Sequence, residues 1–223
     1  MTESIVVIGG GEAPKPSIAD RLPPASFVIA ADSGVDHARR LGLRPDVVVG
    51  DLDSASAEGL AWAQDVGADI VRHPTDKDAT DLELALDIAQ ERASVSAASG
   101  AGPVAVWIVD GGGGRLDHLV GNLVLLAAPR PHMVLTGLVG SAVVTPVHVE
   151  RQLRGAPGEV ISLVAFGGPA TGVTTKGLRW SLEDAVLEPF TSLGVSNEFA
   201  AEDAVIGVAG GTILAIQPGS RRL

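Results

Sequence analysis

VVVGDLDSASAEG, residues 47–59, carries the pattern on which the fold turns. Three valines in a row, with no polar alternation, suit a strand buried on both faces. Gly50 ends the run, Asp51 and Asp53 flank Leu52, and a helix-compatible stretch from Ala55 to Val66 follows. The same unit recurs. Apolar runs at Ile5–Ile8, Phe27–Ala31 and Val104–Val109 each stop at glycine or aspartate, and Val35–Leu41, Asp78–Ala93 and Leu116–Ala127 have helical character. Strands alternating with helices predict a mainly parallel α/β sheet with helices on its faces.

Beyond Pro129 and Pro131 the texture changes. Short apolar runs at 143–144, 159–164, 173–175, 185–187, 204–208 and 212–216 are separated by glycine, proline and threonine. That spacing predicts an antiparallel sandwich or barrel. The expected organisation is an α/β domain over residues 1–130 and an all-β domain over 131–223, with SVSAASGAG (94–102) read as a flexible loop.

Composition narrows the function. The 223 residues carry 16 basic and 27 acidic side chains, a net charge of −11, which argues against a nucleic-acid backbone as partner. A phosphorylated small molecule stays possible, because acids that hold a divalent metal supply the positive charge the chain lacks. No segment has the roughly 18 consecutive apolar residues of a membrane helix, and MTESIVVIGG lacks a signal-peptide pattern. With no cysteine there are no disulfides or thiolate metal sites. A cytoplasmic location is expected.

Asp51 and Asp53 lie two apart, so in extended backbone they share one face, just beyond a strand end where open α/β sheets bind ligands. A turn residue and a helix cap would account for the pair equally well. A second cluster, Asp76, Asp78 and Asp81 in PTDKDATDLELALD (74–87), shifts the balance. Capping uses one acid and the helix dipole tolerates another. Two carboxylate clusters from successive units are what Mg²⁺ requires, with substrate phosphates filling its remaining positions. A third element, DGGGGRLDH (110–118), places four glycines and Arg115 before a helix. Backbone N–H groups, a helix N-terminus and a planar guanidinium suit phosphate. The spacing is neither a P-loop nor a dinucleotide fingerprint. GGGEAP (9–14) has Pro14 in place of the last glycine of such a fingerprint, and remains a possible phosphate-side loop.

In combination these segments resemble the thiamine pyrophosphokinase family. The resemblance rests on AADSGVDHARRLGLRPDVVVGDLDS (30–54), DKDATDLELAL (76–86), GGGGRLDHLVGNLVLL (111–126), KGLRW (176–180) and TSLGVSNEF (191–199). It implies a catalytic α/β domain, a β-sandwich that binds thiamine, and a homodimer with active sites at the subunit interface. The implied reaction moves a diphosphoryl group from ATP to the thiamine hydroxyl, with Mg²⁺, giving thiamine diphosphate and AMP. Carried over by motif, Asp51, Asp53 and Asp81 are the expected metal ligands and, with Arg115, the catalytic set. Asp32, Lys77, Asp78, Thr80, Gly113, Gly114, Arg115 and Asp117 are expected at ATP. Trp180, Ser196 and Asn197 are expected at thiamine. Ser33 replaces a glycine common in the family, and Lys77 stands where some members have glutamine. Trp62 and Trp107 read as core, and His118 as a structural neighbour of Asp117. Two other functions remain open: a diphosphokinase for a hydroxymethylpterin-like alcohol, and a binding module without catalysis.

Overall fold

The computed structural model describes residues 3–219. The chain forms two compact units, Met1–Leu125 with Arg130–Gly140, and Leu126–Pro129 with Ser141–Leu223. In the first, β1 (Ser4–Ile8), β2 (Phe27–Ala31), β3 (Val47–Gly50), β4 (Asp69–Arg72), β5 (Val104–Asp110) and β6 (Met133–Val139) run parallel in the order β6-β5-β1-β2-β3-β4. Every residue of β1 and β3 is buried, as the unbroken apolar runs require. The order reverses between β1 and β5. This is the switch point of the sheet, and the glycine-rich segments 9–12 and 111–114 both emerge from it.

The helices of this unit are α1 (Gly34–Leu41), α2 (Ala57–Asp65), α3 (Asp81–Ala98) and α4 (Leu116–Ala127). The Ser56 hydroxyl accepts from Gly59 N–H at 2.9 Å to cap α2, and the Thr80 hydroxyl accepts from Glu83 N–H at 3.2 Å to cap α3. Gly42, at φ 70°, closes α1 in the left-handed region. Along α3, Leu82, Ala85, Leu86, Ala89 and Ala93 form its buried stripe.

Three sequence expectations need amending. Residues 94–98, read as loop, continue α3, and the Ser94 hydroxyl donates back to the Gln90 carbonyl at 2.8 Å. Alanine and serine sustain a helix there until Gly100, at φ 84°. The strand β4 was not anticipated, because its composition, DIVR, is that of a largely exposed edge strand. Met133–Val139, grouped by sequence with the antiparallel region, instead pairs parallel with β5 over its whole length.

The second unit is an antiparallel sandwich. One sheet comprises β7 (Ala142–Val147), β9 (Val160–Ala165), β12 (Asn197–Glu198) and β14 (Ile213–Gln217). The other comprises β8 (Glu150–Arg154), β10 (Ala170–Lys176), β11 (Ala185–Leu187) and β13 (Asp203–Gly207). Ile161, Leu163 and Ile213 from the first sheet pack with Val173, Leu187 and Ile206 from the second, and with Phe199, in one core. Among the described residues no helix is long and apolar enough to cross a membrane.

Candidate active site

Parallel strands end side by side, so residues far apart in sequence meet at the sheet's carboxyl edge. Asp32 follows β2, and Asp51 and Asp53 follow β3, the next strand. Each of the three offers a carboxylate oxygen, and these oxygens lie within 4.8 Å of one another. The backbone that presents them is strained. Asp32 has φ 47° and Leu52 has φ 64°, conformations that side-chain-bearing residues take at a cost and that concentrate at functional sites. Ser33, by contrast, sits at φ −60° in the right-handed region, which any residue adopts, so the family's glycine is not needed at that position.

The electrostatics follow from proximity. The Asp53 N–H donates to Asp51 Oδ1 at 3.2 Å and, with the Lys77 ammonium nearby, holds the Asp51 carboxyl below its ordinary range. The charge on Asp51, then burial and Asp32, push Asp53 upward. Asp32 Oδ1 is buried with no hydrogen-bond partner among the described residues, while Oδ2 accepts from the Ser54 hydroxyl. A buried carboxylate oxygen without a partner beside two further carboxylates is the donor set of a hard cation, and Mg²⁺ fits it.

Asp81, expected beside Asp51 and Asp53, falls outside that trio. Its Oδ1 is 3.1 Å from Lys77 Nζ, which also reaches Asp51 Oδ2 at 3.4 Å. Burial opposes protonation of Lys77, but Asp81 and then Asp51 carry its pKa above the ordinary value. Asp78 is exposed, and the Thr80 hydroxyl is committed to capping α3.

At the switch point, Asp110 shows a role the sequence reading missed. This buried carboxylate accepts from Gly112 N–H and from Asn122 Nδ2, each at 2.6 Å, and so ties the glycine loop to α4. An acid directly before a glycine run, with an amide twelve residues on, was the available signal. Gly112 and Gly114 take φ 75° and 79°, in the left-handed region that favours glycine. A side chain at Gly113 would collide with the Glu12 carboxylate of the neighbouring loop. Arg115 and Asp117 pair with each other at 2.5 Å on the surface, and that pairing takes the Asp117 carboxyl down to about 2. His118 is exposed.

In the second unit, Trp180 is 53% exposed, and the Arg179 guanidinium lies 4.7 Å over its ring, held there by Glu198 at 2.8 Å. Asn197 is buried. Its Oδ1 accepts from Trp180 N–H at 3.1 Å, and its Nδ2 donates to the Trp180 carbonyl at 2.8 Å. Its side chain therefore sets the tryptophan backbone. Ser196, at φ 61°, leaves its hydroxyl on the exposed surface.

Residues 19–135 match the family described as "Thiamin pyrophosphokinase, catalytic domain", and residues 145–212 match "Thiamin pyrophosphokinase, vitamin B1 binding domain". Thiamine pyrophosphokinase 3 of Oryza sativa subsp. japonica is 28% identical over 180 residues, 78% of this chain and 65% of that protein. Thiamine pyrophosphokinase 1 of the same species is 30% identical over 165 residues, 71% and 60%. The matched part of this chain thus spans under two thirds of either rice protein. The thiamine pyrophosphokinase of Bacillus subtilis (strain 168) is 24% identical over 222 residues, 95% of this chain and 96% of that one. In structure, thiamine pyrophosphokinase from Bacillus subtilis superposes with a TM-score of 0.82 at 21% identity, covering 98% of this chain and 100% of that one. The Candida albicans enzyme gives 0.80 at 12% identity, covering 97% and 89%. With the catalytic-domain match covering more than half its length and the B1-binding match following in order, the chain belongs to the thiamine pyrophosphokinase family.

Proposed function

We propose that this chain is a thiamine diphosphokinase that transfers a diphosphoryl group from ATP to thiamine. The observation that carries the reading is the Asp32–Asp51–Asp53 trio at the ends of adjacent strands, in a chain of this family. These three carboxylates would hold Mg²⁺, which when bound neutralises charge on the phosphate oxygens. The backbone N–H groups of 111–114 and the Arg115 guanidinium receive the phosphates, and Asp110 keeps that loop in place.

The thiamine hydroxyl oxygen attacks the β-phosphorus of ATP. The bond from that phosphorus to the oxygen bridging toward the α-phosphorus breaks, and AMP leaves with the bridging oxygen. The hydroxyl proton passes to a carboxylate, which we assign to Asp81 because it lies outside the metal-binding trio. Little covalent chemistry falls to the protein; its work is positioning and charge. The indole face of Trp180, which already attracts a guanidinium, suits the cationic thiazolium. Asn197 orients that residue and Ser196 offers a hydroxyl to the pyrimidine.

A homodimer with active sites at the subunit interface and a cytoplasmic location complete the proposal. Leu116, Val120 and Val124, spaced four apart on α4, form an exposed apolar stripe of the kind a second copy would cover.

The test incubates purified protein with ATP, Mg²⁺ and thiamine and follows both products. AMP and thiamine diphosphate are expected one to one, and both vanish with EDTA. ADP in place of AMP would overturn diphosphoryl transfer. Product only with a hydroxymethylpterin would overturn the substrate, and ATP binding without product would leave a binding module.

A further inference from the structure

Lys77 is the unusual member of the acidic site. Its ammonium lies 3.4 Å from Asp51 Oδ2 and 3.1 Å from Asp81 Oδ1, and the three side chains are only 15%, 12% and 25% exposed. Asp51 is also one of the three carboxylates whose oxygens converge within 4.8 Å. One candidate metal ligand is therefore already shared with a cation that belongs to the chain. Four acids, Asp32, Asp51, Asp53 and Asp81, meet at the ends of two strands and the start of α3, and their mutual repulsion opposes that assembly. A lysine suits the task of offsetting it. It is a compact point charge on a flexible stem, and it can change partners without backbone movement.

We propose that Lys77 is a resident counter-ion that holds the acidic site together without metal and competes with bare divalent cations for Asp51. On loading with a metal–nucleotide complex, the ammonium leaves Asp51 for a phosphate oxygen. The site then favours the metal–nucleotide pair over the metal alone, because only the pair offers Lys77 a new anionic partner. The inference rests on the reading of Asp32, Asp51 and Asp53 as the metal site. It makes Lys77 a positioning residue whose effect appears before any chemistry.

The test measures Mn²⁺ binding to the full chain without nucleotide, by the loss of the free-ion paramagnetic resonance signal, together with thermal unfolding with and without Mn²⁺. Wild type, Lys77→Met, Lys77→Arg and Asp51→Asn are compared, and Lys77→Gln stands in if the methionine variant folds poorly. Removing one positive charge about 5 Å from a divalent ion should tighten Mn²⁺ binding to Lys77→Met by at least about tenfold, roughly the bulk-water limit. The same variant should melt lower than wild type without metal and recover when Mn²⁺ is added. Lys77→Arg should stay near wild type in both readouts. With a non-hydrolysable ATP analogue present, the advantage of Lys77→Met should vanish or reverse. Unchanged or weaker Mn²⁺ binding by Lys77→Met, with wild type still binding and Asp51→Asn impaired, would overturn the counter-ion role and leave the metal site standing. No saturable Mn²⁺ binding by wild type or Lys77→Met would overturn both readings.

Discussion

Replacing Gly34 by alanine tests how tightly the fold holds the acidic site. Gly34 is the first residue of α1 and packs directly on the end of β1. A Cβ there would lie 3.0 Å from the Ile8 carbonyl carbon, nearer still to its oxygen, and 3.1 Å from the Gly9 carbonyl oxygen. Comfortable contact needs about 3.5–4.0 Å between such atoms, so something must move by about an ångström. β1 cannot yield, because Ile8 is paired with Ala30 on one side and Val109 on the other. The start of α1 must lift instead, loosening Val35 and Ala38, which are fully buried. Overpacking of this kind costs about 1–3 kcal/mol, and a rigid backbone obstacle puts it at the upper end. For a chain of this size that is a fall of about 6–12 °C in the melting midpoint. Asp32 stands two residues before Gly34, so the displacement also disturbs the metal trio, and about an ångström of misplacement can cost 10²-fold in rate. Thermal unfolding by circular dichroism and steady-state turnover read the two effects. Gly102→Ala, where a Cβ would meet nothing within 4 Å, is the control and should be neutral. A Gly34→Ala protein that melts within 1–2 °C of wild type (about 0.5 kcal/mol) would refute the argument.

Three further outcomes follow from the site and its surroundings. Asp51→Asn should lower turnover at limiting Mg²⁺ by about 10²–10³-fold with an unchanged far-ultraviolet spectrum, and near-normal turnover would remove Asp51 from the metal set. Trp180→Ala should raise KM for thiamine about tenfold while leaving KM for ATP close to wild type, and Trp180→Phe should recover most of the loss. Stability should fall between pH 7.5 and 5.5. Burial lowers the pKa of His37, whose Nδ1–H donates to the Gly9 carbonyl at 3.1 Å, and burial likewise lowers that of His148. A depressed folded-state pKa means the unfolded chain takes up protons first. The contribution is therefore complete above the ordinary histidine value of 6.5 and is lost as pH falls toward the folded values. The slope is at most about 1.4 kcal/mol per pH unit for each histidine. Urea midpoints at the two pH values measure it, and a flat profile would show that neither ring is held neutral.

Much of this was written locally. Unbroken apolar runs ending at glycine or aspartate, as in 47–50, identify buried parallel strands, because such strands have no polar face to alternate with. The motifs around Asp51, Lys77 and Arg115 point to the family, and the change of texture after Pro131 points to a second, all-β region. What stayed hidden depends on neighbours the sequence does not name. Asp69–Arg72 carries no strand signal of its own, and β3 supplies the hydrogen bonds that make it one. Met133–Val139 reads as antiparallel until its register with β5 is seen. Asn197 stands out in sequence only as a polar residue of a motif, and its hold on the Trp180 backbone is seen only in the fold. Sequence by itself determined which residues could carry the chemistry, because residue type and local spacing decide what can bind metal or phosphate. Only the tertiary structure decided which of them meet. Asp32 joins Asp51 and Asp53 because β2 and β3 are adjacent, and Asp81 stands beside them, linked to Asp51 through Lys77. Strand order is a contest among long-range packings, and no single segment contains its outcome.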